Sequence, residues 1–335
     1  MAEQVTISKT DSSSKNFFDA VKYTLRGAGQ VMFQESAWTG LLFLAGIFWG
    51  SYECGVPQVG WGAVVGVIVS TLAGYILPGD ASQGQQGLYG FNGILVGCAF
   101  PTFLPDTWLM WVALVLCAMT TTWVRTGFNN VMAPWKVNSL TFPFVFMTWM
   151  FLFAARELGG FEPTSLSDAS LTATLSGTLD TSFGHLVVYW LKGVAQVFLV
   201  NSWVTGIFFL VGLALCSRAA AVWAAVGSAE ALALAILFKA DPSSIASGLY
   251  GFSPVLTAIA LGCTFYKVNV RSAVWTLVGV AVTFFIQAGM NAVMTPYGLP
   301  TLTGPFCVAT WLFLLPRFSF ESTADKADHS FWGKL

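Results

Sequence analysis

Long apolar stretches alternate with short polar or glycine-rich segments along most of the chain. Residues 41–48, 109–119, 142–155 and 274–285 are examples. With their flanks, several of these stretches reach the roughly 20 residues that a helix needs to cross a bilayer. The pattern predicts an all-α polytopic membrane protein. In the first half of the chain we expect crossings near residues 16–34, 38–55, 60–78, 107–126 and 138–156.

The composition supports this prediction. Of the 335 residues, 56% are hydrophobic and 9% are charged, whereas soluble domains contain about 25% charged residues. The mean hydropathy is +0.70. The net charge of −1 provides no basic surface for a nucleic acid, so we expect no nucleic-acid partner.

The basic residues cluster towards the two ends of the chain. Residues 157–191 contain no Lys or Arg but carry four acidic residues. By the positive-inside rule, both termini are cytoplasmic and this central segment is extracytoplasmic. We therefore expect cytoplasmic tails at 1–16 and 319–335, and an odd number of crossings on each side of the central segment.

Three sequence blocks occur twice in the same order. Residues 129–149 match 291–311 at 10 of 21 positions, and 30–46 match 196–212 at 8 of 17. "QGLYGFNGIL" from Gln86 matches "SGLYGFSPVL" from Ser247. The chain is therefore a tandem duplication, with a first repeat at 17–158, a linker at 159–184 and a second repeat at 185–318. An odd number of crossings per repeat predicts inverted topology, which places a functional site near the membrane midplane between the repeats.

The "GLYGF" segments differ from the other apolar stretches because they are short and rich in glycine. They lie between full crossings in each repeat, within residues 84–97 and 246–262. We expect each to form a re-entrant half-helix, which a membrane protein tolerates only where it is buried or lines a wet path. Inversion would bring the two half-helices together from opposite faces.

Polar residues recur at equivalent positions of the two repeats. Thr141 and Thr303 each stand two residues before a proline, and we expect each proline to free a carbonyl in the preceding turn. A lone Thr in a membrane helix often bonds only its own backbone, but two equivalent hydroxyls favour a polar ring at a pore centre. Gln30 and Gln196 are also equivalent. Each either joins two helices or supplies an acceptor at a pore mouth.

Motifs for catalysis or for metal binding are absent from the sequence. The six cysteines are scattered through apolar sequence, and His185 and His329 fall near the polar central segment and in the C-terminal tail. No phosphate loop or nucleophile elbow occurs. We expect no enzyme activity and no cofactor.

These paired phrases resemble the urea transporter family, the urea channels of bacteria and animals. The resemblance rests on the repeated L-T-x-P-F, on "LYGFNGILVG" with "LYGFSPVL", and on "GQVMFQ" with "AQVFLV", and it extends from about residue 17 to 318. It implies a homotrimer in which each subunit has its own pore, formed by two inverted sets of five crossings and a re-entrant helix. It implies passive conduction of urea, and we expect a bacterial inner-membrane protein.

The resemblance also implies roles for particular residues. Thr141 and Thr303 would be the central hydroxyls, and Gln30 and Gln196 the mouth residues, although some relatives carry Glu at the second mouth. Flat apolar slots would be formed by Phe33, Phe91, Leu95, Val197, Phe252 and Leu256. Apolar walls would admit the faces of planar urea while oxygen atoms at the edges accept its N–H groups.

Two other classes of transport protein compete with this interpretation. An ammonium channel would place paired histidines in the pore, and neither histidine lies in an apolar span with a partner. An ion-coupled secondary transporter of urea or a small amide fits inverted repeats equally well, but needs intramembrane charges. Only Glu35, Glu230 and Arg125 are candidates.

Overall fold

The computed structural model describes residues 17–77, 80–161, 178–316 and 318–320. The described part of the chain is helical and contains no strand. The tail predicted at 1–16 lies outside the described residues, as do most of the tail at 319–335 and residues 162–177 of the predicted linker.

Seven α-helices are described in each half of the chain, in the same order. The first half contains α1 (17–30), α2 (Ala37–Glu53), α3 (Gln58–Ile76), α4 (Ala81–Gln85), α5 (Phe91–Phe103), α6 (Trp108–Met132) and α7 (Phe142–Glu157). The second half contains α8 (Phe183–Ala195), α9 (Trp203–Cys216), α10 (Arg218–Leu237), α11 (Pro242–Ala246), α12 (Phe252–Ile259), α13 (Val270–Met294) and α14 (Gly304–Leu314). A π-helical turn, Ala260–Thr264, extends α12.

Four of the described helices are long and apolar enough to cross a membrane. They are α3, α10, and α6 and α13 with the turns that extend them to Trp135 and Tyr297. The segments Phe183–Phe198 and Trp203–Cys216 form a fifth candidate span that is bent by 72°. Large apolar side chains such as Leu72, Val112 and Val222 are more than half exposed, as expected of a surface that faces lipid. The prediction of an all-helical polytopic membrane protein is confirmed.

The half-helices α5 and α12 are buried inside this bundle. At 13 residues, α5 is about 20 Å long, which is shorter than the roughly 30 Å hydrocarbon core. Small residues let its backbone approach α3, because a Cβ atom on Gly66 would lie 2.1 Å from the carbonyl oxygen of Gly93. The start predicted for the first half-helix was wrong. The segment 86–90 is a turn with Gly87 at a φ of 83°, so the helix begins only at Phe91.

Helices α2 and α9 join the two halves through a reciprocal pair of hydrogen bonds. Thr39 Oγ1 donates to the Gly212 carbonyl at 2.8 Å, and its repeat equivalent Thr205 Oγ1 donates to the Gly46 carbonyl at 2.7 Å. Gly46 and Gly212 are themselves equivalent. Because the start of each helix contacts the later part of the other, α2 and α9 run antiparallel. A two-fold relation between the halves has this signature.

Candidate functional site

The starts of α7 and α14 meet at the interface between the halves. Trp149 Nε1 donates to the Pro300 carbonyl at 2.8 Å, and Trp311 Nε1 donates to the Asn138 carbonyl at 2.9 Å. The two tryptophans are repeat equivalents, and so are the two acceptors. The last helix of each half is therefore hydrogen-bonded to the segment that precedes the last helix of the other half. These two bonds fix the relative position of the two helix starts.

Thr141 and Thr303 lie where these helix starts meet. Their Oγ1 atoms are 2.6 Å apart, and each residue is 3% exposed. The Cys307 Sγ atom lies 3.4 Å from Thr141 Oγ1. One of the two hydroxyls must donate to the other, so the pair retains one hydroxyl hydrogen and several acceptor directions. The structure thus joins the two threonines that the sequence singled out.

The residues that precede Thr141 and Thr303 share an unusual backbone conformation. Leu140 and Leu302, which precede them, have positive φ angles of 53° and 50°. Leucine in this left-handed region costs about 1–2 kcal/mol, and such outliers cluster at functional sites. Phe33 and its equivalent Leu199 share the same conformation, with φ angles of 62° and 59°.

The role predicted for the prolines was wrong. Pro143 and Pro305 lie in the first turn of α7 and α14, where the missing N–H leaves no carbonyl without a donor. The Ser139 carbonyl accepts the Phe142 N–H at 3.0 Å, and the Thr301 carbonyl is paired in the same way. The prolines start the two helices just after the threonines and do not create acceptors.

Gln30 and Gln196 make the same contact in each half. Gln30 Nε2 donates to the Gln86 carbonyl at 2.9 Å, and Gln196 Nε2 donates to the Ser247 carbonyl at 2.8 Å. Gln86 and Ser247 are equivalent residues just before the "GLYGF" turn. Each bond orients the carboxamide and leaves Oε1, which accepts no hydrogen bond from the described residues, as an acceptor for a solute.

A cavity of about 420 Å³ connects Gln196 with Thr303. It brings together four residues predicted from the sequence: Gln196, Val197, Phe252 and Thr303. We call this the second-repeat mouth. Side chains of the first half complete its wall, namely Thr102, Phe103 and Phe144. Apolar side chains such as Val197 and Phe252 line the cavity together with polar residues, which include Gln196, Asn291 and Thr303.

Two aromatic rings of the second half pack against Phe33 in the first half. The Phe33 ring lies edge-on to Phe265 at 5.7 Å and to Phe306 at 6.1 Å. Phe306 is the repeat equivalent of Phe144. Phe265 corresponds to Phe103 once the π-helical turn Ala260–Thr264 is counted as adding one residue to the second copy, so each half contributes the same two rings to the other. Gln30 and Phe91 are the repeat equivalents of Gln196 and Phe252, which line the second-repeat mouth. By this equivalence we call Gln30, Phe33 and Phe91, with the Phe265 and Phe306 rings, the first-repeat mouth.

Comparison with known proteins places this arrangement in a family. The family model described as Urea transporter matches residues 21–318. The chain belongs to the urea transporter family. It is 31% identical over 299 residues to Urea transporter 1 of Ovis aries and 29% identical to that of Rattus norvegicus. Each match covers 88% of this chain and 76% of the relative.

Several residues of this urea transporter family member were missed by the sequence analysis. Phe103, Phe144, Phe265 and Phe306 face mouths of the opposite repeat. The repeated sequence contained a signal for two of them, since Phe144 and Phe306 belong to the L-T-x-P-F phrase. Leu95 and Leu256, in contrast, are fully buried and do not line the 420 Å³ cavity, so their place in the slots stays a prediction.

The acidic residues considered for ion coupling lie in two different settings. Glu35 is exposed and pairs with Arg26, with 3.3 Å between Oε1 and Nη1. Glu230, in α10, has one carboxylate oxygen, Oε2, that is buried without a hydrogen-bond partner among the described residues. Neither residue lines the second-repeat mouth.

Proposed function

We propose that the chain is a passive, urea-selective channel. The observation that carries the proposal is the polar path at the second-repeat mouth, which runs from the Gln196 amide to the Thr303 hydroxyl past apolar side chains such as Val197 and Phe252. Family membership and the printed names of the relatives supply the substrate.

The chemistry of the path suits urea. Urea is planar and uncharged, with four N–H bonds, so two apolar walls fit its faces and oxygen atoms at its edges replace lost hydration. The Oε1 atoms of Gln30 and Gln196 and the hydroxyls of Thr141 and Thr303 supply these acceptors. Several weak sites in series allow entry and release, whereas one strong site would retain the solute.

The proposal includes a homotrimeric assembly and inverted repeats whose two-fold axis lies in the membrane plane. It also assigns the apolar slots to Phe33, Phe91, Leu95, Val197, Phe252 and Leu256. The antiparallel contact of α2 with α9 supports the inversion. A bacterial inner-membrane location with cytoplasmic termini also stays a prediction, and the relatives named above are mammalian.

An ion-coupled transporter is the second candidate, because the Glu230 Oε2 atom, which is buried without a partner among the described residues, would serve as its proton site. Urea flux into proteoliposomes, followed by stopped-flow light scattering without ion gradients, separates the two. We expect fast downhill flux that an imposed proton or sodium gradient does not alter and that Glu230→Gln retains. Flux that requires a gradient, and that Glu230→Gln abolishes, would reject the channel.

A further inference from the structure

Helix α6 carries a buried positive charge beside the first-repeat mouth. Arg125 is 7% exposed, and its guanidinium carbon lies 5.6 Å from the centre of the Phe91 ring. Its Nη1 atom donates to Gln83 Oε1 at 3.1 Å. Within the described ranges no carboxylate oxygen lies within 4.0 Å of this guanidinium. The charge is therefore held by a neutral amide and an aromatic ring, and no carboxylate of the described residues pairs with it.

The internal repeat shows where this charge stands relative to the solute path. Arg125 and Gln287 stand four residues before the two ends, Asn129 and Asn291, at which the matching blocks begin, so the same offset of 162 residues makes them equivalent. Gln287 lines the second-repeat mouth together with Phe252, the equivalent of Phe91. The corresponding position of the first-repeat mouth thus carries a guanidinium where the second carries a neutral amide.

The proposed slots and oxygen atoms do not by themselves distinguish urea from a planar cation. Guanidinium has the same flat shape as urea and more N–H groups, and acceptor oxygens favour it. The aromatic faces also attract cations. A channel with these walls therefore needs another feature to refuse guanidinium and related planar cations.

We propose that Arg125 is this specificity-determining residue: its fixed charge at the Phe91 slot repels planar cations and leaves neutral urea unaffected. The proposal rests on the channel function proposed above. A unit charge several ångströms from the path, at an effective dielectric constant of about 20, lowers the local concentration of a monovalent cation by about tenfold or more. Because its guanidinium lies against the Phe91 ring, Arg125 also offsets the attraction of that ring for cations.

The test compares uptake of radiolabelled guanidinium with uptake of urea in proteoliposomes held at zero membrane potential. Arg125→Gln introduces the side chain of Gln287, the equivalent residue of the second repeat. We expect it to raise the ratio of guanidinium to urea permeability about tenfold or more, with urea flux within threefold of the wild type. Arg125→Lys keeps the charge but loses the planar group, and we expect it to keep cation rejection.

A second variant leaves the arginine in place. Gln83→Glu puts a carboxylate at the atom that Arg125 already contacts, so it neutralises the charge and we expect it to admit guanidinium as Arg125→Gln does. Ser244→Glu adds the same carboxylate at the equivalent position of the other mouth. It leaves the Arg125 barrier intact, so we expect guanidinium to stay excluded.

The outcomes separate this proposal from the proposed function. Absence of urea flux in the wild type rejects the channel itself. Normal urea flux with guanidinium still excluded in both Arg125→Gln and Gln83→Glu overturns the role of Arg125. Admission of guanidinium by Arg125→Lys as well as by Arg125→Gln also overturns it, because the geometry of Phe91 and not the charge would then decide.

Discussion

Thr141 and Thr303 form a hydrogen bond of 2.6 Å between their Oγ1 atoms although 162 residues separate them. Both residues end the same repeated turn, and each is followed by a proline that starts a helix. A symmetric contact between equivalent residues forms only on or near a two-fold axis. The pair therefore marks the centre of the duplicated structure.

Removal of one of these hydroxyls tests the centre of the proposed path. Thr141→Val and Thr303→Val keep the side-chain volume but leave the remaining hydroxyl without its partner, at a cost of about 1–3 kcal/mol. We expect each to lower urea flux by about tenfold in the stopped-flow assay. Thr141→Ser and Thr303→Ser retain the hydroxyl and should stay within about threefold of the wild type. Equal flux in the valine and serine variants would contradict a role for the hydroxyls.

The two mouths should respond alike to loss of their glutamines. Gln30→Met and Gln196→Met remove the hydrogen bond to the Gln86 or Ser247 carbonyl, and they also remove the free Oε1 acceptor. Because each mouth loses one weak binding contact, we expect urea flux to fall by about three- to tenfold in each variant. A neutral exchange elsewhere on a lipid-exposed surface, Leu72→Met, is the matched control. Unchanged flux in both glutamine variants would show that these amides only support the fold.

The reciprocal bonds between α2 and α9 should contribute similar free energies of unfolding. Thr39→Val and Thr205→Val each delete one buried hydroxyl that donates across the interface. Such bonds contribute about 0.6–1.7 kcal/mol in membrane proteins. We expect each variant to lower the unfolding temperature in detergent by a similar amount. Thr120→Val is the control, since the Thr120 hydroxyl bonds only to its own helix. A large loss in one variant alone would argue against symmetric coupling of the halves.

Equivalent aspartates cap the two short helices, and their pKa values predict a pH limit. The bonds from the Ser82 hydroxyl and N–H hold the pKa of Asp80 below its usual value. Burial alone would raise the pKa of Asp241, but the bonds from Ser243 and Ser244 outweigh burial and lower it. A carboxyl whose pKa is lowered by folding stabilises the protein above its unfolded pKa of about 3.9, and that stability is lost as the pH falls through the folded pKa.

We therefore expect the unfolding temperature in detergent to be constant from pH 8 to pH 5 and to fall below about pH 4. Asp241→Ala should lower it at pH 7 and flatten the acid decline. Asp241→Asn keeps a capping oxygen that does not titrate, so it should flatten the decline while retaining most of the stability at pH 7. A decline that is unchanged in Asp241→Asn and in Asp80→Asn would assign the acid limit to other groups.

The sequence predicted the class of fold, and helices lie near the expected positions. The crossing expected near 60–78 corresponds to α3, which is long and apolar enough to cross a membrane, whereas the one expected near 38–55 corresponds to α2, whose 17 residues leave it outside that group. The predicted helix limits were wrong where backbone conformation ends a helix inside an apolar stretch. The crossing expected at 138–156 begins only at Phe142, since Leu140 adopts a left-handed conformation and Thr141 remains in the turn.

The sequence by itself determined that the protein is helical, apolar and duplicated, because composition and internal repeats are properties of the linear chain. It also singled out Thr141, Thr303, Gln30 and Gln196, because equivalent polar residues in an apolar chain are visible as a repeated exception. Only the tertiary structure decided which aromatic rings of one half contact the mouth of the other half. It also decided that the Arg125 guanidinium lies against the Phe91 ring. Contacts between distant segments depend on how two halves pack, and hydropathy along one chain contains no information on which faces meet.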